Sequence, residues 1–578
     1  MIEATFGSRE LQAQGLPTYF HSPLRVLTAN RHEEVHPLLQ AAEAEALAGR
    51  WVALMLSYEA APAFDPAMKT RPPGALPLGW AAVFAGLGET SSQPVAGEYQ
   101  VGPWEPCISR EDFSHAISQI RELIAAGDTY QVNFTFPLVA GFSGDARSWF
   151  RNLCRAQGAE YCAYFDLGRY KVLSVSPELF FEHEGKKVTT RPMKGTIGRG
   201  RWLAEDEQMA ERLAASAKDR AENVMIVDLL RNDVGRVALP GSVKVTRLFD
   251  LERYETLWQM TSTIEASLRS GVDFAELMAR LFPCGSITGA PKIRTMEIIR
   301  DLEPFPRGVY TGTLGFLRPG GSAVFNVAIR TIVIDSADGV ATFGVGGGIT
   351  YDSTAEREYE ECLVKSSFLN SKPVDFQLLE SMLLEGGSFF LLERHLDRLK
   401  ASATYFGFCF PEAKIRSELE RIAAAQAHGS WKTRLLVSPS GQVSIETQKR
   451  ENPTQTPLRV ALAARAVSVS DKFLFHKTTN RSVYDEAIAS RPDCDDVILW
   501  NEAGDVTEST IANVIIFVDG RFYTPPLHAG LLAGTLREEL MAEGKVSERV
   551  IRKADLSEAA EIFLINSVSG WRQAQLVP

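Results

Sequence analysis

Gly285-Ser286-Ile287-Thr288-Gly289-Ala290-Pro291-Lys292 brings glycine, small hydroxyl residues and a proline together in one short stretch. Backbone of this kind is flexible and rich in N–H donors, so it can grip a carboxylate without side-chain obstruction. A second run, Gly346-Gly347-Gly348, offers the same. Either loop alone reads more simply as a tight turn. Around them, short strand-like runs at 172–175, 331–334 and 341–345 alternate with helical patterns such as 220–230. That alternation predicts an α+β fold.

Two acidic pairs flank the glycine loops. Asp219 and Glu222 stand three apart ahead of an apolar helical run, and Glu358 and Glu361 repeat the spacing. On a helix, positions i and i+3 share a face, so each pair can aim two carboxylates at one spot. A hard Mg²⁺ ion takes a few carboxylate oxygens and leaves the rest of its shell to water or substrate. Taken alone, such pairs are usually solvated helix faces. Lys365, one turn past Glu361, equally suits a simple i,i+4 ion pair.

With 578 residues the chain exceeds one ordinary core, so two or three domains are expected. Its 45% hydrophobic and 23% charged residues are ordinary for a globular protein. A net charge of -11 argues against a general nucleic-acid binder, which needs a basic face. Seven cysteines without metal spacing fit reduced thiols in a cytoplasm. Residues 1–9 lack a basic region followed by an apolar run, and no apolar stretch approaches the roughly 20 residues that span a bilayer. The expectation is a cytoplasmic chain with no membrane segment. Asn370-Ser371-Lys372-Pro373 reads as a linker, because proline disfavours helix at the preceding residue. It separates a first domain, 1–369, from a second, 374–578, which carries a helical stretch at 391–406 and ends in a strand at 561–565.

Further motifs stand in order before the glycine loops: Gly127-Asp128-Thr129-Tyr130-Gln131-Val132-Asn133, Ser176-Pro177-Glu178, Pro192-Met193-Lys194-Gly195-Thr196 and Asp228-Leu229-Leu230-Arg231-Asn232-Asp233. Together with Glu358-Tyr359-Glu360-Glu361 they resemble the chorismate-utilising enzymes: anthranilate synthase large subunits, aminodeoxychorismate synthase component I, and isochorismate or salicylate synthases. The resemblance covers about 105–368. It implies an anthranilate synthase-like β-sandwich with flanking helices and a Mg²⁺-dependent reaction on chorismate. Anthranilate synthases carry alanine where Lys194 stands, whereas aminodeoxychorismate synthases carry lysine. By resemblance, Lys194 attacks ring carbon 2 and expels the 4-hydroxyl, after which ammonia adds at carbon 4. Attack needs a neutral amine, so the pKa of Lys194 is expected to be lowered. The same likeness makes Glu222 and Glu361 the Mg²⁺ ligands, with Asp219 and Glu358 supporting. It assigns substrate carboxylates to Tyr310, Arg330 and Lys365, alongside Thr288, Gly289, Gly346, Gly347 and Gly348. One departure is Gln259, which stands where many relatives have a histidine that assists at the 4-hydroxyl. Before residue 100 the likeness is loose and gives no basis for assigning tryptophan regulation.

The second domain contains His476-Lys477-Thr478-Thr479-Asn480-Arg481, then Thr507-Glu508-Ser509-Thr510, then Gly534-Thr535-Leu536-Arg537 leading into a helix. Pyridoxal phosphate chemistry needs a lysine, an acid near the pyridine nitrogen and a phosphate cradle, which a glycine-rich helix N-terminus supplies. With His395-Leu396-Asp397-Arg398-Leu399 and Asn566-Ser567-Val568, these segments resemble class IV pyridoxal phosphate enzymes, the branched-chain aminotransferase and aminodeoxychorismate lyase group. By resemblance, Lys477 is the Schiff-base lysine, Glu508 keeps the pyridine nitrogen protonated, and Arg398 binds phosphate with the Gly534-Thr535-Leu536 loop. Asn566 and Ser567 receive the substrate carboxylate. The loop departs from the relatives' pattern, its hydroxyl coming one place early at Thr535, and Ser569 stands where fused relatives often have arginine.

The two resemblances explain each other. Anthranilate synthase expels its own pyruvate, whereas aminodeoxychorismate synthase stops at an aminated intermediate and needs a lyase. The implied function is therefore bifunctional p-aminobenzoate synthesis for folate. The alternative is anthranilate formation joined to a class IV aminotransferase. No glutaminase segment is recognisable, so ammonia is expected from solution or from a separate glutamine amidotransferase subunit. Class IV relatives pair as dimers, which implies a homodimer through the second domain.

Overall fold

The computed structural model describes residues 2–7, 18–87, 97–370, 374–450 and 456–578. Of the expected linker, Ser371 to Pro373 lie outside the described residues. Internal contacts divide the chain into two units. One is Met1–Gly198 with Ala210–Pro373, and the other is Arg199–Met209 with Val374–Pro578.

The first unit contains two sheets of ten strands each. Strand Trp51–Leu56 illustrates how the sequence stacks them. Val52, Leu54 and Leu56 face one core, while Ala53 and Met55 face another. Side chains alternate across a strand, so a run that is apolar at every position belongs to a strand covered on both faces. The core between the sheets joins Phe6, Phe20 and Phe165 of one to Trp80, Phe84 and Phe316 of the other, with the Phe6 and Phe316 rings 4.8 Å apart. Helices Arg110–Ala125 and Ala146–Gln157 cover the outside of the first sheet through Phe113, Ile117, Trp149 and Leu153. Helices His32–Leu47 and Ala217–Gly235 cover the second through Leu38, Leu39, Ile226 and Leu230. This is the β-sandwich with flanking helices that the sequence implied.

Two strand pairings in this unit place functional groups. Gln131–Gly144 runs antiparallel to Val340–Ile349, setting Gly346, Gly347 and Gly348 opposite Thr135, Phe134 and Asn133. Met193–Gly198 pairs with Leu257–Ser267, and the register shifts between Met193 and Thr196. Lys194 and Gly195 occupy that bulge, a device that re-aims a side chain out of the ladder.

The second unit has a four-stranded sheet and an eight-stranded one. In the larger, Val506–Ser509 pairs with both Asp496–Trp500 and Asn513–Val518, which closes six strands into a ring. The smaller sheet packs Leu378, Met382 and Leu435 against Leu396, Leu399 and Ala403 of helix Leu392–Phe406. The helical stretch is present, and the strand read at 561–565 is Glu561–Asn566, but the unit ends one strand later, on Gly570–Leu576. All seven cysteines are free, and no helix among the described residues is long and apolar enough to cross a membrane.

Candidate active sites

Lys194 lies in a cavity of about 210 Å³ in the first unit. The expected i,i+3 pairs both prove helical: Asp219 and Glu222 on Ala217–Gly235, and Glu358 and Glu361 on Ala355–Ser366. All four carboxylates line the cavity, as do Tyr310, Arg330, Lys365 and Gly346 to Gly348. Helix Ala217–Gly235 begins where Ser216 accepts from the Asp219 N–H, which fixes the turn that presents the first pair.

The glycines here are required by close approach. Gly195 has φ +91°, and a β-carbon there would stand 2.9 Å from that of Asp219. At Gly344 a β-carbon would meet the Tyr310 ring at 2.2 Å, so the ring lies flat on bare backbone. Thr288 and Gly289 sit behind the wall instead of lining it. The Thr288 carbonyl accepts from Asn133 N–H at 2.8 Å, and Gly289 pairs with Val132. Ser286 and Ile287 are the members of that loop that face the cavity.

The charges are arranged for anion binding and amine chemistry. Burial favours the neutral form of Lys194 and lowers its pKa, and the nearby Lys365 adds to the effect, while Glu178 opposes it. Glu178 is 3% exposed, and one of its carboxylate oxygens has no hydrogen-bond partner. Burial pushes Glu178 up to about 7, against the pull of Ser286 and Lys194. From an ordinary 4.5, that is about 3 kcal/mol against the charged form. Burial also raises Glu222 and Glu358. Glu361 is pushed up by burial too, but Lys365, 2.8 Å away, outweighs this and holds it low. Lys365 is therefore an i,i+4 ion-pair partner that also donates to the Gly346 carbonyl at 2.9 Å. Burial pulls the Arg330 guanidinium down to about 10. It donates to the Gln157 side chain and forms no ion pair among the described residues. Its backbone has φ +50°, a strained setting for a non-glycine residue that aims the side chain. A buried, unpaired guanidinium is a ready carboxylate receptor.

Sequence reasoning quoted Glu178 within a motif without giving it a role, and it missed the braces behind the cavity. Arg307 donates to the carbonyls of Asn133 and Ile287 at 2.6 and 2.9 Å and pairs with buried Glu303. It thereby ties the glycine loop to strand Gln131–Gly144. Gln259 donates to the Gly195 carbonyl at 2.8 Å and accepts from Thr196 at 2.9 Å, so it holds the Lys194 bulge in place. Among the described residues no three acidic, cysteine or histidine groups form a ready-made metal cluster. The oxygen-only donor set still suits Mg²⁺, whose shell accepts substrate and water oxygens.

Lys477 lies in a larger cavity of about 710 Å³ in the second unit, lined also by Arg398, Glu508, Gly534, Thr535, Leu536, Asn566 and Ser567. Every residue assigned to this site from the sequence thus meets in one place. Burial and then the Arg398 charge pull Lys477 down to about 8. Glu508 accepts from Tyr484 Oη at 2.7 Å and from Leu532 N–H at 3.2 Å, and burial pushes it up to about 7. Arg398 donates twice to buried Glu380, at 2.9 and 2.7 Å, and once to the Ala533 carbonyl at 2.9 Å. Arg398 and His395 outweigh burial at Glu380 and hold it near 2.

The cradle fits pyridoxal phosphate. Helix Thr535–Ala542 starts at Gly534 with no side-chain cap, which leaves its first N–H groups to an outside acceptor. A β-carbon at Gly534 would stand 1.9 Å from Asn513 Oδ1. The Thr535 hydroxyl lies within 3.3 Å of His395 Nε2, so the displaced hydroxyl is engaged on the protein side.

The chain shows 42% identity over 262 residues to aminodeoxychorismate synthase component 1 of Salmonella typhimurium, covering 45% of this chain and 57% of that protein. Anthranilate synthase component 1 of Streptomyces coelicolor is 38% identical over 286 residues, covering 49% and 55%. The chain thus spans a little over half the length of these relatives. The crystal structure of anthranilate synthase component I from Streptococcus pneumoniae shares the fold, with a TM-score of 0.54 at 22% identity over 64% of this chain and 92% of that one. Residues 377–577 match the family described as amino-transferase class IV. Residues 9–371, well over half of the chain, match the family described as chorismate binding enzyme, and the chain belongs to that family.

Proposed function

We propose that the chain makes p-aminobenzoate from chorismate in two steps, amination to 4-amino-4-deoxychorismate at Lys194 and elimination of pyruvate at Lys477. One observation carries this reading. Each of two cavities holds a buried primary amine of lowered pKa, and each also holds a carboxyl raised to about 7. Such pairs are suited to an amine that must shed and regain a proton at neutral pH.

In the first cavity the neutral Lys194 amine attacks ring carbon 2, the double bonds shift, and the 4-hydroxyl leaves as water. Ammonia then adds at carbon 4, the shift reverses, and the lysine is released. Chorismate and ammonia give the aminated intermediate and water. Glu178 takes the proton that Lys194 must lose, while Arg330 and Lys365 hold carboxylates. Glu222 and Glu361, supported by Asp219 and Glu358, would hold Mg²⁺, which supplies positive charge for the ring carboxylate. The ammonia comes from solution or from a separate glutamine amidotransferase subunit.

Glu178→Gln is expected to slow amination about 100-fold, the usual worth of a positioned proton acceptor. Wild-type rate should rise through pH 7 as Glu178 loses its proton, with a second rise where Lys194, its pKa lowered by burial, loses its own. The variant should lose the inflection near pH 7, and the remaining one should move to lower pH, because Glu178 raises the pKa of Lys194. An unchanged rate–pH profile would remove Glu178 from the mechanism.

In the second cavity Arg398 and the open N–H groups after Gly534 would hold the phosphate of pyridoxal phosphate, and Glu508 would face its pyridine nitrogen. The cofactor supplies an electron-withdrawing ring. Lys477 removes the proton at ring carbon 4 of the substrate, pyruvate departs, and the product ring becomes aromatic. The cavity wall supports a substrate with two carboxylates. Lys432, Arg434 and Arg572 line it and form no ion pairs among the described residues. Charge-assisted bonds contribute about 1.5–3 kcal/mol, so Arg434→Gln should raise KM for the aminated intermediate roughly tenfold or more while kcat changes little. Kinetics on supplied intermediate test this, and an unaltered KM would reject it.

This unit is proposed to pair as a homodimer, and the enzyme to work in the cytoplasm. The deciding experiment supplies chorismate, ammonia, Mg²⁺ and pyridoxal phosphate and identifies the aromatic product. p-Aminobenzoate is expected, and anthranilate would overturn the reading.

A further inference from the structure

Residues 199–209 pack with the second unit, and their partners converge on the residues around Lys477. The segment is folded on itself: Arg199 Nε and Gly200 N–H both donate to Asp206 Oδ1, at 2.6 and 3.0 Å. A β-carbon at position 200 would stand 2.2 Å from the Asp206 nitrogen, so only glycine allows this approach. Tyr405 Oη donates to the Gly200 carbonyl at 2.7 Å, Arg199 donates to the Tyr405 carbonyl at 2.9 Å, and the Arg199 guanidinium lies 4.5 Å over the Tyr405 ring.

His476, the residue before Lys477, is held by the same segment. Its Nε2 lies 3.1 Å from the Arg201 carbonyl and its Nδ1 lies 2.9 Å from Ser402 Oγ. A carbonyl can only accept, so Nε2 carries the proton and Nδ1 accepts from the Ser402 hydroxyl. Burial lowers the His476 pKa to about 3, which keeps the ring neutral and fixes that tautomer. The ring also packs against Tyr405 at a 31° tilt, with centroids 4.4 Å apart. One residue further back, the Phe475 ring meets Trp202 at 5.1 Å and the Arg201 guanidinium at 5.0 Å. On the far side of the loop the Lys477 carbonyl accepts from Leu379 N–H at 2.9 Å. Lys477 therefore hangs between a strand bond and a histidine anchored on residues 200–202.

The anchoring helix links this grip to the phosphate cradle. His395, Arg398, Ser402 and Tyr405 all lie on Leu392–Phe406, at spacings of three, four and three that keep them on one stripe. The first two reach Glu380 and the Ala533 carbonyl, and the last two reach His476 and Gly200.

We propose that Gly200, Arg201 and Trp202 form a positioning element for Lys477, setting its orientation through His476 and Phe475. The inference rests on the reading that Lys477 carries pyridoxal phosphate. It adds that this site is incomplete without a stretch of chain lying more than 150 residues before the class IV match begins.

The test uses the full-length protein carrying Trp202→Ala, Trp202→Phe or Tyr405→Phe. Apoprotein would be titrated with pyridoxal phosphate, and the absorbance of the Lys477-bound cofactor would be followed against pH. Trp202→Ala is expected to weaken cofactor binding about tenfold and to displace the pH at which the bound-cofactor absorbance changes. Tyr405→Phe, which removes one hydrogen bond, should displace it in the same direction by less, and Trp202→Phe should restore both properties. Wild-type affinity and an unmoved absorbance titration in both Trp202→Ala and Tyr405→Phe would overturn the proposal. Wild-type protein that takes up no pyridoxal phosphate, with no borohydride-stable label at Lys477, would instead overturn the reading beneath it.

Discussion

Lys194→Ala is expected to lower the amination of chorismate by about 10³-fold, the scale of losing an activated nucleophile. The side chain sits in a register bulge beside Glu178, and no other lysine but Lys218 and Lys365 lines the cavity. Lys365 is paired with Glu361 and bound to the Gly346 carbonyl, and Lys218 approaches Glu222 at 3.7 Å, so neither is placed to substitute. The same variant should convert supplied 4-amino-4-deoxychorismate to p-aminobenzoate at the wild-type rate, because Lys477 lies in a separate cavity. Two assays on one preparation therefore suffice. Retained amination would exclude the covalent role, and loss of both activities would indicate misfolding in place of chemistry.

Lys477→Ala should have the mirror-image effect. Formation of p-aminobenzoate should fall by 10³-fold or more, while chorismate is still consumed and the aminated intermediate accumulates. The purified protein should lose its yellow colour and its borohydride-stable label. Chromatography of the reaction mixture distinguishes this from a general defect, since only a specific loss leaves intermediate behind. A variant that still releases pyruvate from the intermediate would refute the assignment of Lys477.

Much of this site was legible in the sequence because its determinants are local. The i,i+3 acids were read as helical pairs, and helices Ala217–Gly235 and Ala355–Ser366 carry them. The runs at 172–175, 331–334 and 341–345 fall inside strands Tyr170–Ser176, Thr331–Asp335 and Val340–Ile349. What escaped depends on groups distant in sequence. Glu178 stood in plain view, but its shift to about 7 comes from burial beside Ser286 and Lys194, which no spacing reveals. Thr288 and Gly289 could be recognised as parts of a glycine loop, yet only the folded chain shows that Ser286 and Ile287 of that loop line the cavity while Gly289 pairs with Val132. Arg307 braces positions 174 and 20 residues away through carbonyl contacts, which leave no trace in residue type. His476 and Arg201 are separated by 275 residues.

The assignment of Arg199–Met209 to one unit and of the residues on both sides to the other has a practical outcome for anyone dividing this protein. No single cut in the polypeptide yields two native pieces. A gene truncated at the apparent junction would encode a C-terminal fragment stripped of eleven of its own residues, and a nick there would leave those residues on the N-terminal product. Separate expression of the halves would require grafting that short insert back onto the fragment it serves.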